Sequence, residues 1–189
     1  MDNHLNKVLM MLDQSLRVEG SKVNVIDETK LRTKIDKLVE IINMDTGALH
    51  GWANYLTRAA ALELGIIPAS IHELYMARGR GEVPLTFSVP AINLRVLSFE
   101  AEKAVLRAAR KINAGAIIFE IARSEIGYTS QSPVEYATNV LAAAIAEGFR
   151  GPIFIQGDHF QISAKRYAGD SLTESNAVRN LTRQAIEAG

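Results

Sequence analysis

The sequence predicts a mixed α/β protein: an all-helical N-terminal arm over residues 1–82, then strand–helix units of a parallel sheet over residues 83–189. Three observations predict it. Apolar residues ahead of Gly79 recur at spacings of three and four, the period of one helix face. Beyond Leu85, short apolar runs alternate with amphipathic stretches, as in βα units covered on the outside. Finally, Gly115-Ala116-Ile117-Ile118 and Gly151-Pro152-Ile153-Phe154 read as two copies of one such unit.

The first helix is expected on the stripe Leu5, Val8, Leu9, Leu12 and Leu16, and the second on Leu31, Ile35, Leu38, Val39, Ile41 and Ile42. An Ala- and Leu-rich third spans Ala48 to Leu64. A fourth opens at Pro68-Ala69-Ser70, where Ser70-Ile71-His72-Glu73 has capping-box spacing, and Gly79-Arg80-Gly81 stops it. Leu85-Thr86-Phe87-Ser88-Val89 then reads as a strand broken by Pro90. Ser98 would cap a helix burying Ala101, Val105, Ala108, Ala109 and Ile112. Gly115 to Ile121 is a second strand, and Ser132-Pro133-Val134-Glu135 a strong helix start with Pro at the first helical position. Gly151 to Gln156 is a third strand, and Ser171-Leu172-Thr173-Glu174 begins the last helix.

No G-x-G-x-x-G follows any strand, and Gly79 and Gly81 precede the first, so the dinucleotide turn of a doubly wound sheet is missing. The preferred architecture is therefore the first three βα units of a (β/α)8 TIM barrel. Eight units need about 200–250 residues, more than this chain of 189 holds even without an arm. The expectation is the front part of a longer protein, with coverage of the open sheet by the arm and by oligomerisation as the alternative.

Composition narrows the function. Lys+Arg number 21 against 21 Asp+Glu, a balance unlike the basic excess of nucleic-acid binders. The absence of Cys removes disulfide scaffolds, Cys-based zinc ribbons, iron–sulfur clusters and a cysteine nucleophile. No apolar run approaches the roughly 18–20 residues that span a bilayer, and Met1-Asp2-Asn3-His4 lacks a signal-peptide order. A soluble, cytoplasmic protein with neither nucleic-acid nor membrane partners is expected.

In parallel βα architecture functional groups collect where strands end. Those places hold Asn93, then Glu120 with Arg123, Ser124 and Glu125, then Gln156-Gly157-Asp158-His159. Asp158-His159 is the most telling pair, since histidine is a frequent zinc ligand and a strand-end carboxylate can donate or accept a proton. The alternative for the pair is a turn-capping Asp beside a surface His. Glu120 lies in an apolar run, where an unpaired carboxylate is expensive, so a functional or ion-paired role, with Arg123 as partner, is expected. Arg123 suits either a substrate phosphate or a structural salt bridge. Lys165 and Arg166 could attract an anion. Tyr128 and Tyr136 suit packing or a rim, and Trp52 the core of the arm. His4, His50 and His72 show no metal spacing.

With these strand ends assembled, residues 84–165 resemble the class II (zinc-dependent) ketose-bisphosphate aldolases. Val89-Pro90-Ala91-Ile92-Asn93 and Gly151-Pro152-Ile153-Phe154-Ile155-Gln156-Gly157-Asp158-His159 carry the resemblance. It implies a (β/α)8 barrel that cleaves fructose or tagatose 1,6-bisphosphate to dihydroxyacetone phosphate and glyceraldehyde 3-phosphate. It also implies that His159 is the first Zn2+ ligand, that Asp158 handles the proton on the C4 hydroxyl, and that Asn93 lies near the substrate. A sugar bisphosphate would then be the small-molecule partner and a homo-oligomer the assembly. The sequence departs from the family in the helical arm and in Gln156, which stands where the first His of His-x-Asp-His is often found. The family's remaining zinc ligands and its Gly-rich phosphate loops belong to later strands, expected beyond Gly189, so this chain alone is expected to be inactive. The alternative is a non-catalytic sugar-phosphate-binding or stabilising subunit of an aldolase complex.

Overall fold

The computed structural model describes residues 2–189. In chain order its elements are α1 (Asn3–Met11), β1 (Leu16–Glu19), β2 (Lys22–Val25), α2 (Glu28–Lys34), α3 (Asp36–Met44), α4 (Ala48–Glu63), β3 (Ile66–Ala69) and α5 (His72–Gly79). There follow β4 (Ala91–Asn93), α6 (Ser98–Lys111), β5 (Ile118–Ala122), α7 (Arg123–Thr129), α8 (Pro133–Ala146), β6 (Gly151–Asp158), α9 (Ala164–Gly169) and α10 (Ser171–Ala188).

The expected α/β class is present: β3, β6, β5 and β4 line up in that order as one four-stranded parallel sheet. The N-terminal arm, however, is not all-helical. Asp13 and Gln14 adopt left-handed backbone angles that end the first helix, so Leu16 leaves the helical stripe and starts a strand. β1 and β2 then form an antiparallel hairpin closed by Gly20-Ser21, with Gly20 at φ 63°. A two-residue turn of this kind needs positive φ, which glycine takes without strain.

The second departure sets the sheet. Residues 66–69, expected to lead into a helix, pair in parallel with Gly151–Phe154. Gly65 and Gly151 are joined by a backbone bond of 2.9 Å. The remainder of the expected capping box shrinks to one bond, His72 N–H to Ser70 Oγ at 3.1 Å. One edge of the sheet is thus a strand from the expected arm. The apolar core is likewise continuous across residue 82, running from Leu5 through Leu31, Leu56 and Ile66 to Phe119, Leu141 and Ile153.

α8 is the hub. Its capping box forms as the sequence expects, with Ser132 Oγ accepting from Glu135 N at 3.3 Å and Glu135 Oε2 from Ser132 N at 2.6 Å. The helix is buried nearly all round, because Ala142, Ala143 and Ala144 let neighbours approach on several sides. It packs against α4, α6 and α10 and touches α2 and α3. Arg32 Nε reaches Ala146 O at 3.1 Å, and Asn139 Nδ2 reaches Asn43 Oδ1 at 3.1 Å, fixing the arm to α8.

Three local expectations are corrected. The strand expected over 85–89 is irregular; Arg78 donates to the carbonyls of Phe87 at 2.7 Å and Leu85 at 3.4 Å, and pairing begins only at Pro90 O, which accepts from Ile118 N. α6 buries Phe99, Glu102 and Leu106 rather than the Ala-rich stripe, leaving Ile112 exposed. The larger Phe and Leu side chains gain more from burial than alanines do. Trp52, expected in the core of the arm, lies at the edge of the core, its indole N–H donating to Asp2 Oδ2 at 2.7 Å. No described helix is long and apolar enough to cross a membrane.

Candidate functional site

Register decides what meets at the sheet end. Asn93 pairs with Glu120, Glu120 with Gln156, and Ala122 with Asp158. In-register residues of neighbouring strands share a face, as do residues two apart on one strand. Asn93, Glu120, Gln156 and Asp158 therefore lie on one face, toward the C-terminal ends of β4, β5 and β6. This is where parallel βα proteins present functional groups.

β6 runs two residues further than expected, so that Gly157 and Asp158 are still in the strand. The chain turns away at His159, which holds a left-handed φ of 46°. That turn lets adjacent residues meet: His159 Nδ1 lies 2.7 Å from Asp158 Oδ1. Gly157 serves a different end, because a Cβ there would meet the Phe160 ring at 2.7 Å.

The second Asp158 oxygen, Oδ2, accepts from Asn93 Nδ2 at 3.1 Å. The same amide nitrogen donates to Glu125 Oε2, also at 3.1 Å. Glu125 is the third residue of α7, and its Oε2 also accepts from Ala122 N at 2.8 Å, closing the start of that helix. Its other oxygen lies 3.4 Å from Arg95 Nε, and Arg95 in turn reaches the Tyr128 hydroxyl at 3.4 Å. One level below, Gln156 Nε2 donates to Glu120 Oε1 at 2.7 Å, and the buried Tyr136 hydroxyl donates to Glu120 O at 2.8 Å.

The charges are tuned in opposite directions. The bond to His159 holds the Asp158 carboxyl below its ordinary range, helped by Asn93 and opposed by partial burial. His159 is raised by that same bond and by the Asp158 charge. Glu120 is raised, first by burial and then by the neighbouring Asp158 charge. An ionised carboxylate beside one that retains its proton more readily is the usual layout of an acid/base site.

The sheet end thus brings together Asn93, Asp158 and His159, as the sequence led one to expect. It does not join Glu120 to Arg123. Arg123 lies at the start of α7 and grips Glu174 instead, at 2.6 and 3.1 Å, with a further bond to Gln161 O at 2.9 Å. This is the structural salt bridge of the two roles open to it. Arg166 sits 3.7 Å from the same Glu174, while Lys165 is exposed on α9. His4 pairs with Asp2 and His50 with Asp45 O, and His72 is exposed on α5. Arg95 was missed as a site residue, and Glu125, placed among the strand-end residues, was given no role. Glu125 had a readable signal, an acidic residue three positions after a strand's last residue, where it can close a helix start.

Zinc needs three protein ligands with an open position for substrate. His159 has the supporting carboxylate on one ring nitrogen that ligating histidines commonly show. Among the described residues, however, no three His, Cys, Asp or Glu side chains are grouped to hold a metal ion. The described residues do not make a zinc centre. An apolar cavity of ≈ 620 Å³ nearby is lined by Pro68, Ile121, Phe154, Phe160 and Ile186; it reaches Gln156 but not Asn93, Asp158 or His159. The polar cluster stands on an open sheet end.

No protein-family model, curated protein or solved structure matches this chain.

Proposed function

We propose that this sheet end is part of a class II aldolase centre acting on a ketose 1,6-bisphosphate, fructose or tagatose, and that β4, β5 and β6 are strands of a (β/α)8 barrel. The observation that carries the reading is the convergence of Asn93 and the Asp158–His159 pair from separate strands onto one face. β3 fills the place beside β6 that a fourth barrel strand would take, so completing a barrel requires that strand to displace β3 from Gly151–Phe154. In aldol cleavage the C4 hydroxyl loses its proton as the C3–C4 bond breaks, leaving a carbonyl at C4 and the electron pair on C3. Asp158, kept ionised by His159 and Asn93, is the group suited to take that proton, and to return it in condensation. Zn2+ is a proposed cofactor with His159 as one ligand, since the described residues group no three metal-binding side chains to hold it alone. The chain alone is then inactive.

Dihydroxyacetone phosphate titrated into the 15N-labelled chain tests the reading. Shifts at Asn93 and residues 157–159 are expected, and their loss in Asp158→Ala. Absence of perturbation there, or perturbation only elsewhere, overturns it. Zinc-dependent cleavage of either bisphosphate by the chain alone would overturn the statement that it supplies only part of the centre. A second reading, a non-catalytic sugar-phosphate-binding or stabilising subunit of an aldolase complex, draws support from the single histidine at the sheet end. A full-length protein that binds dihydroxyacetone phosphate and assembles with a partner aldolase, yet holds no zinc, favours it.

A further inference from the structure

We propose that Glu125 is a positioning residue, holding the Asn93 side-chain amide with its nitrogen toward Asp158. Its functional weight rests on the reading of Asp158 as the acid/base residue, but its geometry does not.

A terminal amide can turn either end toward a neighbour, and its surroundings decide which. Asn93 stands between two carboxylates, Glu125 Oε2 and Asp158 Oδ2, each 3.1 Å from its Nδ2. An NH2 group has two hydrogens, one for each oxygen. Turned over, the amide oxygen would face both carboxylates and be repelled by both. With Asp158 alone, the amide would be set from one side only, by a group that is itself about a quarter exposed, 26% of its side chain being accessible. Glu125 adds the second, firmer side.

Glu125 is rigid for reasons of its own. It is 5% exposed, and Oε2 is pinned by the Ala122 N–H at 2.8 Å. Oε1 faces Arg95 at 3.4 Å. A carboxylate needed only to close α7 could satisfy the Ala122 N–H without meeting Asn93. Here one oxygen serves both. The start of α7, on one strand connection, thereby fixes an amide on the neighbouring strand, and that amide fixes Asp158.

The test uses the side-chain amide signals of Asn93 in the 15N-labelled chain, compared among wild type, Glu125→Gln and Glu125→Leu. In wild type two separate Nδ2 proton signals are expected, exchanging with water about tenfold more slowly than a free amide, the scale that hydrogen bonding sets. Gln at position 125 can place its carbonyl oxygen where Oε2 now lies, so Glu125→Gln should retain that protection. Glu125→Leu should lose it at the Nδ2 proton that faces position 125, Asp158 still accepting from the other, while the backbone amides of α8 and β5 keep theirs. Equal loss in both variants would mean that charge alone matters, and would overturn the positioning role. Should Glu125→Leu fail to fold, the wild-type spectrum decides: an Asn93 amide exchanging at the free rate overturns the proposal. Protection that follows this pattern in a chain whose Asn93 and residues 157–159 ignore dihydroxyacetone phosphate would sink the aldolase reading and leave the positioning role standing.

Discussion

Arg123 holds Glu174 through two bonds, 2.6 Å to Oε1 and 3.1 Å to Oε2, across 51 residues of chain. The pair locks the start of α7 to the first turn of α10. Ser163 N also donates to Glu174 Oε1, at 2.7 Å. The Arg123 bond, followed by that from Ser163, holds the Glu174 carboxyl down at about 2. A carboxyl whose folded value lies below its unfolded one stabilises the fold above the unfolded value and loses that contribution as pH falls. Thermal unfolding of wild type and Glu174→Gln should therefore differ above pH 4.5 and converge as pH approaches 2. A constant difference across that window would contradict it.

Glu102 is fully buried on α6, and among the described residues neither carboxylate oxygen has a hydrogen-bond partner. Burial raises its carboxyl well above the ordinary 4.5. The sign is opposite to that of Glu174: the folded state binds the proton more tightly, so the fold is favoured below 4.5 and loses that advantage as pH rises. Glu102→Leu, close in volume and next to Leu106 on the helix face, should raise stability at pH 8 by about 1–3 kcal/mol, the cost of an unsatisfied buried polar group. Denaturant unfolding measures it, and the gain should shrink toward pH 4.

The Tyr136 hydroxyl donates to Glu120 O from a fully buried site, joining α8 to the middle of β5. Tyr136→Phe removes this donor while Leu94 N still reaches the same carbonyl at 3.3 Å, and should cost about 0.5–1.5 kcal/mol in urea unfolding. A change within a few tenths of a kcal/mol would mean that water or a shifted neighbour replaces the bond.

At Gly157 a methyl group would lie 2.7 Å from the Phe160 ring. Gly157→Ala should push the half-buried ring aside and cost about 1 kcal/mol, the low end of the overpacking range. Because Gly157 directly precedes Asp158, NMR shifts at Asp158 and His159 should change as well. Shifts confined to Phe160 would show that the ring moves without disturbing the turn.

Much of the polar cluster at the sheet end was legible before folding. Asn93, Asp158 and His159 could be placed together because each follows an apolar run, and a parallel sheet gathers such strand ends on one side. Glu125 was harder to read, since its value lies in reaching Asn93 across 32 residues. Local spacing reports the helix it begins, not the strand beside it.

By itself the sequence determined the α/β class, the capped start of α8 at Ser132-Pro133, the last two sheet strands and the polar residues at their ends. These depend on near neighbours: hydrophobic period, a capping pair, a glycine. Tertiary structure alone decided that Ile66–Ala69 is a sheet strand, since a four-residue segment containing Pro68 has no strand identity until Gly151–Phe154 supplies its partner. It also decided that Glu120 pairs with Gln156 and Arg123 with Glu174. A buried charge is settled by whichever complementary group packing brings within about 3 Å, and that distance is fixed by strand register and helix docking.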